Sequence, residues 1–560
     1  MPPFSTEKRG TGCSLLEGCV QWPADAAARY RAKGYWKGET LGAHLRRWTA
    51  ERPDSVAVIA GEEQLTYRDL DRHADSLAMS LGRLGLHDRD RILVQLTNSP
   101  QFFPLIFACF RTGVIPIMTL PAHRESEMAH FASLSGALAY VVPGSGRFDY
   151  VALARTVCQR VSSIQRVIVD DEYTSELSLP RLANAGTVEP IKDLGKPDDV
   201  ALFLLSGGTT GFPKLIPRTH DDYSYNFRRS SEIAGFDENT RYLAVLPISH
   251  NFPLGSPGAL GVFERGGTVV LANDPSPESA LKLIERHRIT HTSVVPTIAL
   301  RWIEFAERRG ANLSTLHVLQ VGGARLAEEV ARKVRPVLGC RLQQVFGMAE
   351  GLLNFTRIED DEETIVSTQG LPMCPDDELR FADENGVDVA AGSPGELLVR
   401  GPYTIRGYYR AAEHNARAFT PDGFYRSGDV VRRLPPGHLV VEGRAKDMIN
   451  RAGEKISAED VENHLLAHPR IRDAAVVAMP DREFGERPCA FIITNDGAPL
   501  DLPEIVAFLS TRQIAKFMYP ERIEIVDAFP LTSVGKVDKK SLRQIISAKL
   551  SRDRQQPKVN

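Results

Sequence analysis

The fold is decided by the segment Ser206-Gly207-Gly208-Thr209-Thr210-Gly211-Phe212-Pro213-Lys214. It follows the apolar run Ala201 to Leu205, so a buried strand is predicted to end directly in this loop. The three glycines let the backbone approach a ligand closely. Backbone N–H groups and the hydroxyls of Ser206, Thr209 and Thr210 can donate to phosphate oxygens, and Lys214 adds a positive charge. The segment therefore predicts a phosphate-binding loop at the carboxyl end of a strand.

Composition alone also permits a flexible surface turn here, because clusters of glycine and threonine usually form turns. The segment is not a Walker A loop, because the GxxxxGK[ST] spacing is absent, and it does not match the dinucleotide pattern GxGxxG. Its position after a buried strand favours phosphate binding, since ligands tend to bind at the carboxyl ends of strands.

Around this loop, short β-branched runs alternate with longer amphipathic ones, which is typical of parallel sheets flanked by helices. The predicted helices are Thr66 to Leu84 and Pro277 to Arg288, the second with Ser276 as N-cap and Pro277 at its first position. The predicted strands are Val56 to Ala60, Arg91 to Gln95, Val167 to Val169, Val200 to Leu205 and Thr292 to Val295.

Further along, Gly-rich turns and short strands predict a β-rich, barrel-like segment from Glu396 to about Gly443, and Arg444 to Gly453 is interpreted as a charged connector. Then follow a helix capped by Ser457, two strands and another helix: Ala458 to His468, Ala474 to Met479, Ala490 to Ile493 and Leu502 to Phe508. We predict an α/β fold with a large N-terminal domain of α/β layers, residues 1–446. A smaller, mobile α+β domain of about 110 residues would follow at 447–560.

The length, composition and net charge of the chain restrict the class of protein. A chain of 560 residues exceeds what one hydrophobic core usually organises. The net charge of -3 lacks the basic excess that is typical of nucleic-acid-binding proteins. No apolar run approaches the roughly 18 residues of a membrane-spanning helix. The seven cysteines are scattered without metal-finger spacing, and the first residues lack a secretory signal. We expect a cytoplasmic protein that binds neither nucleic acid nor membrane.

Four further motifs follow the loop in order: Gln344-Val345-Phe346-Gly347-Met348-Ala349-Glu350, Tyr425-Arg426-Ser427-Gly428-Asp429, Gly443-Arg444-Ala445-Lys446-Asp447 with Gly453-Glu454-Lys455-Ile456, and Pro530-Leu531-Thr532-Ser533-Val534-Gly535-Lys536. Together with the loop they resemble the acyl- and aryl-adenylating superfamily, which includes acyl-CoA synthetases and peptide-synthetase adenylation domains. Any one match arises easily by chance, but five in the family's order and spacing do not.

The resemblance implies ATP and Mg²⁺ as cofactors. The residues that it places around ATP are Ser206, Gly207, Gly208, Thr209, Thr210, Gly211, Lys214, Gly323, Val345, Phe346, Gly347, Asp429 and Arg444. Asp429 would accept hydrogen bonds from both ribose hydroxyls, a use that suits an acceptor-only carboxylate. Glu350 would be the Mg²⁺ ligand, which needs hard oxygen donors. Taken singly, Asp429 would be an ordinary turn residue and Glu350 a solvated helix residue.

Two residues are predicted to be catalytic by the same resemblance. Lys536 would stabilise charge as a carboxylate attacks the α-phosphorus, although a lysine in a Gly-Lys loop is otherwise a mobile surface group. His250 would shape the mouth of the acid pocket and would not act as a base. A lone histidine is more often structural than catalytic.

The acid is predicted from the segment His250-Asn251-Phe252-Pro253-Leu254-Gly255-Ser256. Amino-acid-activating relatives typically carry Asp where Asn251 falls, so a neutral Asn disfavours an ammonium group. Asn251 can instead hydrogen-bond an ortho hydroxyl on an aromatic acid. With Trp22-Pro23 and Gly322-Gly323-Ala324, the segment resembles the stand-alone aryl-acid activators of siderophore assembly. The predicted aryl-acid pocket comprises Asn251, Phe252, Ser256, Gly322, Ala324 and Leu353.

The choice of acid stays open at this point. Ser256 favours 2,3-dihydroxybenzoate because it can accommodate a 3-hydroxyl, whereas the bulk of Leu353 favours salicylate. Another ortho-substituted aryl acid from antibiotic synthesis is a third possibility.

The second half of the reaction is also predicted by resemblance. The acceptor would be the phosphopantetheine arm of a separate aryl carrier protein, or coenzyme A if the chain is an aryl- or acyl-CoA ligase. Asp447 would be the hinge that withdraws Lys536, and Lys455 would serve thioester formation. From a different class, a nucleotide-binding regulatory protein without chemistry is disfavoured, because Lys536 and Glu350 are both retained.

Overall fold

The computed structural model describes residues 16–186, 189–206, 213–452, 454–481, 483–495, 497–512, 514–532 and 535–555. Its strands, in chain order, are β1 (Val56–Ala60), β2 (Glu63–Thr66), β3 (Arg91–Val94), β4 (Ile115–Met118), β5 (Ala139–Pro143), β6 (Arg166–Asp170), β7 (Leu177–Ser178), β8 (Val200–Leu205), β9 (Leu215–Thr219), β10 (Arg241–Ala244), β11 (Thr268–Leu271), β12 (His291–Val294), β13 (Val318–Gly322), β14 (Arg341–Met348), β15 (Gly351–Phe355), β16 (Leu371–Pro372), β17 (Glu378–Ala382), β18 (Gly395–Arg400), β19 (Tyr425–Arg433), β20 (Leu439–Arg444), β21 (Ile449–Arg451), β22 (Glu454–Ile456), β23 (Ile471–Asp481), β24 (Gly485–Thr494) and β25 (Arg522–Ile525).

The α-helices are α1 (Ala24–Ala32), α2 (Leu41–Glu51), α3 (Tyr67–Arg83), α4 (Phe102–Thr112), α5 (Glu125–Ser135), α6 (Tyr150–Arg160), α7 (Leu179–Ala183), α8 (His220–Ile233), α9 (Asn251–Gly255), α10 (Gly258–Arg265), α11 (Pro277–His287), α12 (Pro296–Arg309), α13 (Glu328–Lys333), α14 (Glu362–Ser367), α15 (Ala412–Ala418), α16 (Ala458–Leu466), α17 (Leu502–Thr511) and α18 (Lys539–Gln555). A π-helical turn covers Val334–Leu338, and 3-10 turns cover Ala445–Asp447 and Lys516–Met518. Among the described residues, no helix has both the length and the apolar character that crossing a lipid bilayer requires.

Two large sheets form the N-terminal part. The described strands of the first run in the order β16-β15-β14-β13-β12-β10-β11-β1-β2, with parallel pairing from β14 to β1 and antiparallel pairing at both edges. The second runs β7-β6-β5-β3-β4-β8-β9 and is parallel except for the β8–β9 pair. One apolar core joins the two sheets, since Val58 and Leu271 of the first and Val94 and Leu202 of the second lie in one cluster.

The predicted helices and strands of this part are confirmed to within a few residues, and the local chemistry explains their ends. Helix α3 begins with a capping box, in which Asp69 N–H donates to Thr66 Oγ1 (3.1 Å) and Thr66 N–H donates to Asp69 Oδ2 (3.2 Å). Helix α11 begins at Pro277, and Ser276 Oγ accepts from Ser279 N–H (3.4 Å), as predicted.

The β-rich segment is an antiparallel sheet in the order β17-β18-β19-β20, and the pairings of the described strands leave β17 and β20 at its two ends. The predicted start at Glu396 was wrong, because β17 begins at Glu378. Most residues of β17 are only half-buried, so the strand carries little of the hydrophobic alternation by which strands are recognised.

The C-terminal part is a separate sheet, in the order β22-β21-β24-β23 with β25 parallel to β24. Apolar clusters cover both of its faces, one with Val461 of α16 and the other with Leu542 of α18. The charged connector predicted at 444–453 contains a short strand, because β21 lies inside it and pairs with β22. The strand is difficult to recognise in the sequence because charged residues surround it and Ile449 is its one buried position. The boundary predicted at Asp447 falls in the 3-10 turn before β21 and stays a prediction.

Candidate functional site

Several of the predicted site residues lie at one edge of the nine-stranded sheet formed by the described strands. Strands β10, β12, β13 and β14 are parallel, so their carboxyl ends meet at the same edge. Gly322 ends β13, Met348 ends β14, and the segment after β10 leads to helix α9. Residues far apart in sequence are thereby brought to one rim, where ligands bind in open α/β sheets.

The predicted phosphate-binding loop, residues 206–214, is described by the structure only at its two ends. Ser206 N–H donates to Lys214 O (3.0 Å), and Lys214 N–H donates to Ser206 Oγ (2.9 Å), so the two ends are joined where β8 and β9 meet. Gly207, Gly208, Thr209, Thr210 and Gly211, all predicted to bind phosphate, lie outside the described residues.

Asp429 and Arg444 form an ion pair next to this rim. They are directly opposite each other in the β19–β20 pair, and Arg444 Nε lies 2.8 Å from Asp429 Oδ1. Asp429 is 4% exposed, and its own N–H donates to Ser427 Oγ (3.0 Å). Burial raises the pKa of Asp429, while the positive charge of Arg444 opposes that rise. A buried carboxylate with an adjacent cation is thus placed beside the strand ends.

Glu350 is held by two tyrosines. Tyr408 O–H donates to Glu350 Oε1 (2.7 Å), and the hydroxyls of Tyr408 and Tyr425 are 2.9 Å apart. Burial and the Glu350 carboxylate raise the pKa of Tyr408, so its hydroxyl keeps the proton that it donates. The described residues contain no group of three or more His, Cys, Asp or Glu side chains that would hold a metal ion by themselves. Glu350 can therefore serve a cation only together with oxygens of a ligand, which is the usual situation of Mg²⁺ at phosphates.

Lys536 reaches this site from the C-terminal part of the chain. A Cβ at Gly323 would lie 3.1 Å from Lys536 Cε and 3.5 Å from Lys536 Nζ, so the lysine side chain lies against that glycine. Thr297 Oγ1 donates to Gly535 O (3.3 Å), and Lys536 N–H donates to Thr532 Oγ1 (3.1 Å). The first bond joins the lysine-bearing loop to the start of α12, and the second lies within the loop.

The charges around Lys536 shift its pKa. Burial and the neighbouring charge of Arg444 lower the pKa of Lys536 to about 8, against the opposing pull of Asp429, Glu459 and Glu350. We call Asp429, Arg444, Glu350 and Lys536 the charged cluster. A cation with a depressed pKa beside carboxylates is characteristic of functional sites.

His250 lies where the charged cluster meets the acid pocket. It precedes α9, and its Nδ1 accepts from Phe252 N–H (3.2 Å). Burial and the charge of Lys536 lower the pKa of His250 to about 4. The imidazole is therefore neutral at physiological pH and acts as a cap of α9, whereas its role at the mouth of the pocket stays a prediction.

The predicted acid-pocket residues are neutral and mostly buried. Asn251 Nδ2 donates to Ser256 Oγ (3.1 Å), and Asn251 Oδ1 accepts from the hydroxyl of Tyr223 (2.9 Å). The ring of Phe252 lies against Gly322, where an added Cβ would fall 3.0 Å from Phe252 Cζ.

The other predicted pocket and nucleotide positions lie on β14, on β15 and directly after β13. Leu353 is 3% exposed and is opposite Gly347 in the β14–β15 pair, and its N–H donates to the hydroxyl of Tyr403 (3.0 Å). On the same strand β14, Val345 is buried and Phe346 is half-buried. Ala324 is exposed in this structure, next to the exposed Gly323.

Asp447 lies in the 3-10 turn after β20, and its Oδ1 pairs with Arg543 Nη1 of α18 at 2.5 Å. Lys455 belongs to β22, where it pairs with Asn450 of β21. The predicted hinge and the predicted thioesterification residue thus lie at the start of the C-terminal sheet.

Two models of known protein families match this chain. The family model described as AMP-binding enzyme matches residues 45–409, and that of the AMP-binding enzyme C-terminal domain matches 460–536. The chain belongs to the AMP-binding enzyme family. The expected superfamily and the predicted fold class are thereby confirmed.

Close relatives cover almost the full length. The 2,3-dihydroxybenzoate-AMP ligase of Bacillus subtilis is 52% identical over 96% of this chain and 99% of its own. The salicyl-AMP ligase / salicyl-S-ArCP synthetase of Mycobacterium tuberculosis is 47% identical over 97% of each chain. Among solved structures, apo MbtA of Mycobacterium smegmatis has a TM-score of 0.74 and 45% identity, covering 95% of this chain and 99% of that one.

Three buried residues that bond to predicted site residues or to their neighbours were not predicted from the sequence. Tyr408 bonds Glu350 across 58 positions, and Tyr223 bonds Asn251 across 28. Arg218 is fully buried, and its Nη1 donates to Ala349 O (3.0 Å), one residue before Glu350. The clue to Arg218 was a charged residue inside the otherwise apolar strand β9, because a buried charge requires a partner.

Proposed function

We propose that this AMP-binding enzyme uses ATP to activate an ortho-hydroxylated aromatic acid to an aryl-AMP with release of pyrophosphate. It would then transfer the aryl group to the phosphopantetheine thiol of an aryl carrier protein in siderophore or related nonribosomal peptide synthesis. The observation that carries the proposal is the position of Lys536 against Gly323, between the Asp429–Arg444 pair and His250, the residue that precedes the acid-pocket residue Asn251.

The charged cluster is suited to a nucleotide. Asp429 is an acceptor-only group, so its carboxylate accepts hydrogen bonds from the ribose hydroxyls while Arg444 balances its charge. Glu350 would hold Mg²⁺ together with phosphate oxygens, and the metal would supply neutralisation of phosphate charge. The hydroxyl of Tyr408 orients Glu350 for this role.

Adenylation joins two anions, and the residues of the chain must offset their repulsion. A carboxylate oxygen of the acid attacks the α-phosphorus, the bond from that phosphorus to the bridging oxygen breaks, and pyrophosphate leaves with the electron pair. Protonated Lys536 stabilises the negative charge that develops between the two substrates. Gly535, next to Lys536, is bonded to Thr297, and we propose that closure of this part of the chain over the rim excludes water during the step.

The neutral pocket supports an aromatic acid over an α-amino acid. Asn251 and Ser256 are neutral, so the ammonium of an amino acid would lack a counter-charge there. The names of the two relatives, which specify 2,3-dihydroxybenzoate and salicyl-AMP, support acids with an ortho hydroxyl. Ser256 favours the 3-hydroxyl of 2,3-dihydroxybenzoate, and the buried Leu353 favours salicylate.

For the second half-reaction, the chain would turn at Asp447, withdraw Lys536 and bring the strand that carries Lys455 to the rim. Asp447→Pro should therefore impair thioester formation far more than ATP–pyrophosphate exchange, because proline restricts rotation at the turn. Equal impairment of both reactions would contradict the hinge.

The deciding experiment is ATP–pyrophosphate exchange with salicylate, 2,3-dihydroxybenzoate, benzoate and a panel of amino acids. We expect exchange with the two ortho-hydroxylated acids at least about tenfold above benzoate, the effect of one or two hydrogen bonds. Thioester formation is then measured with an aryl carrier protein and coenzyme A side by side. Exchange with amino acids alone would overturn the assignment of the acid, and transfer to coenzyme A alone would establish an aryl-CoA ligase.

A further inference from the structure

Tyr223 lies beneath the acid pocket and touches the residue that is expected to contact the ortho substituent. Its ring is fully buried on α8, and the guanidinium of Arg218 lies 4.9 Å from the ring centroid. Its hydroxyl donates to Asn251 Oδ1 (2.9 Å). Burial raises the pKa of Tyr223, so the phenol stays protonated and can donate this bond at any physiological pH.

The direction of this bond follows from the chemistry of the groups around it. A phenol is a better donor than acceptor, because its oxygen lone pair is delocalised into the ring. On the far side of the pocket floor, Asn226 Nδ2 donates to the acceptor-only Gly255 O (2.5 Å) and lies 3.4 Å from Ser256 Oγ. Ser256 Oγ therefore receives N–H groups from both sides, from Asn226 and from Asn251 (3.1 Å).

The backbone of α9 is shaped to allow this contact. A Cβ at Gly255 would fall 2.5 Å from the hydroxyl oxygen of Tyr223, closer than real Cβ contacts. The glycine thus lets the tyrosine hydroxyl reach under the helix. Any larger residue at position 255 would have to push the hydroxyl away from Asn251.

The orientation of the Asn251 amide has a chemical consequence. Tyr223 turns Oδ1 toward itself and one N–H is directed to Ser256, so we infer that the second N–H is the group that Asn251 presents to a ligand. Such a site accepts a hydrogen-bond acceptor at the ortho position. A hydroxyl oxygen is an acceptor, whereas the nitrogen of an aromatic amine is a poor one because its lone pair is delocalised into the ring.

We propose that Tyr223 is a specificity-determining residue, which fixes the Asn251 amide as a donor and thereby selects ortho-oxygen acids over ortho-amino acids of the same size. This inference rests on the proposed function, since it concerns the acid of the same reaction. Tyr223 acts through Asn251 and is a positioning residue.

The test compares kcat/KM in ATP–pyrophosphate exchange for salicylate, 2-aminobenzoate and benzoate, with benzoate as the reference that lacks an ortho group. The wild-type enzyme should prefer salicylate over 2-aminobenzoate on the order of a hundredfold. In Tyr223→Phe the amide is free to turn its oxygen to the pocket, so this ratio should fall about tenfold, the effect of one hydrogen bond. The benzoate value should change by less than about threefold, because no ortho contact is lost.

Gly255→Ala provides a second route to the same effect, since it displaces the hydroxyl and leaves the tyrosine in place. The matched control is Tyr140→Phe, which also removes a buried tyrosine hydroxyl that donates to an amide oxygen, that of Gln95. All three acids should keep their values in the control.

The outcomes separate the two proposals. A wild-type enzyme that uses salicylate and 2-aminobenzoate equally well overturns the role of Tyr223 and leaves the proposed function intact, and it does so without any variant. An unchanged ratio in Tyr223→Phe, or an equal loss for all three acids, also overturns it. If the wild-type enzyme exchanges pyrophosphate with no aromatic acid, the proposed function fails and this inference fails with it.

Discussion

The charged cluster and the acid pocket lie side by side on one rim but are built by opposite rules. In the charged cluster, Arg444 and Lys536 both act on the pKa of Asp429. The members come from the four-stranded sheet of the described residues, from the turn between β14 and β15, and from the C-terminal part. In the acid pocket, Asn251 and Ser256 are neutral, and their hydrogen bonds stay within the N-terminal part. Charged groups interact over several ångströms, so separate parts of the chain can supply them. A hydrogen bond depends on the direction of its donor and acceptor, so the groups that form it must be held rigidly.

Removing Lys536 from the charged cluster should have the largest effect. In Lys536→Ala we expect aryl-AMP formation to fall about a hundredfold or more, because a positioned donor to the developing charge is lost. Affinity for the aromatic acid should change little, since the acid pocket keeps its own bonds. The measurement is single-turnover formation of aryl-AMP, with Lys540→Ala as the control on an exposed lysine of the same region. Full-rate adenylation by the Lys536 variant would refute the mechanism.

The support of Glu350 should have the next largest effect. Tyr408→Phe removes the hydroxyl that orients the carboxylate, and we expect about a tenfold loss in rate at limiting Mg²⁺. The concentration of Mg²⁺ required for half-maximal exchange should rise accordingly. Tyr409→Phe is the matched control at the next residue, whose ring packs on Phe203 at 4.9 Å. A loss that does not depend on Mg²⁺ would assign Tyr408 to folding alone.

The two regions should also differ in their response to pH. The pKa of Lys536 is lowered to about 8, so the free enzyme carries the required positive charge below that pH and loses it above. We expect kcat/KM for ATP to fall about tenfold per pH unit above that point, because this parameter reports the free enzyme. Equilibrium binding of salicylate should stay flat over the same range. A falling limb that persists unchanged in Lys536→Arg would contradict this assignment.

The smallest effect is expected inside the acid pocket. Ser256→Ala removes a hydroxyl that can face a 3-hydroxyl of the acid, so kcat/KM for 2,3-dihydroxybenzoate relative to salicylate should fall about fivefold, as for one neutral hydrogen bond. Salicylate serves as the internal control, because it has no 3-hydroxyl. An unchanged ratio would show that Ser256 does not contact that position.

The sequence was sufficient where local chemistry determines structure. The caps at Thr66 and Ser276 and the apolar periodicity predict α3 and α11, because the signals lie within a few residues of each other. Ordered motifs identified the charged cluster for the same reason, since each motif is a short contiguous segment. Strand β17 was missed because half-buried strands lack a clear pattern.

Long-range partners could not be predicted in this way. Tyr408 and Tyr223 are ordinary core tyrosines in sequence, and only the fold places their hydroxyls on Glu350 and Asn251. Likewise, the exposure of Ala324 depends on how the chain leaves β13, which no local pattern in Gly322-Gly323-Ala324 determines.

The ion pair between Asp447 and Arg543 has a mechanical consequence. Helix α18 begins three residues after Lys536, and Arg543 lies about one helical turn from its start. The ion pair therefore ties the proposed hinge to the helix that directly follows the lysine loop. Because both partners are partly exposed to solvent, we expect dissolved salt to weaken this pair, so that ionic strength would alter the rate of the proposed change between the two half-reactions.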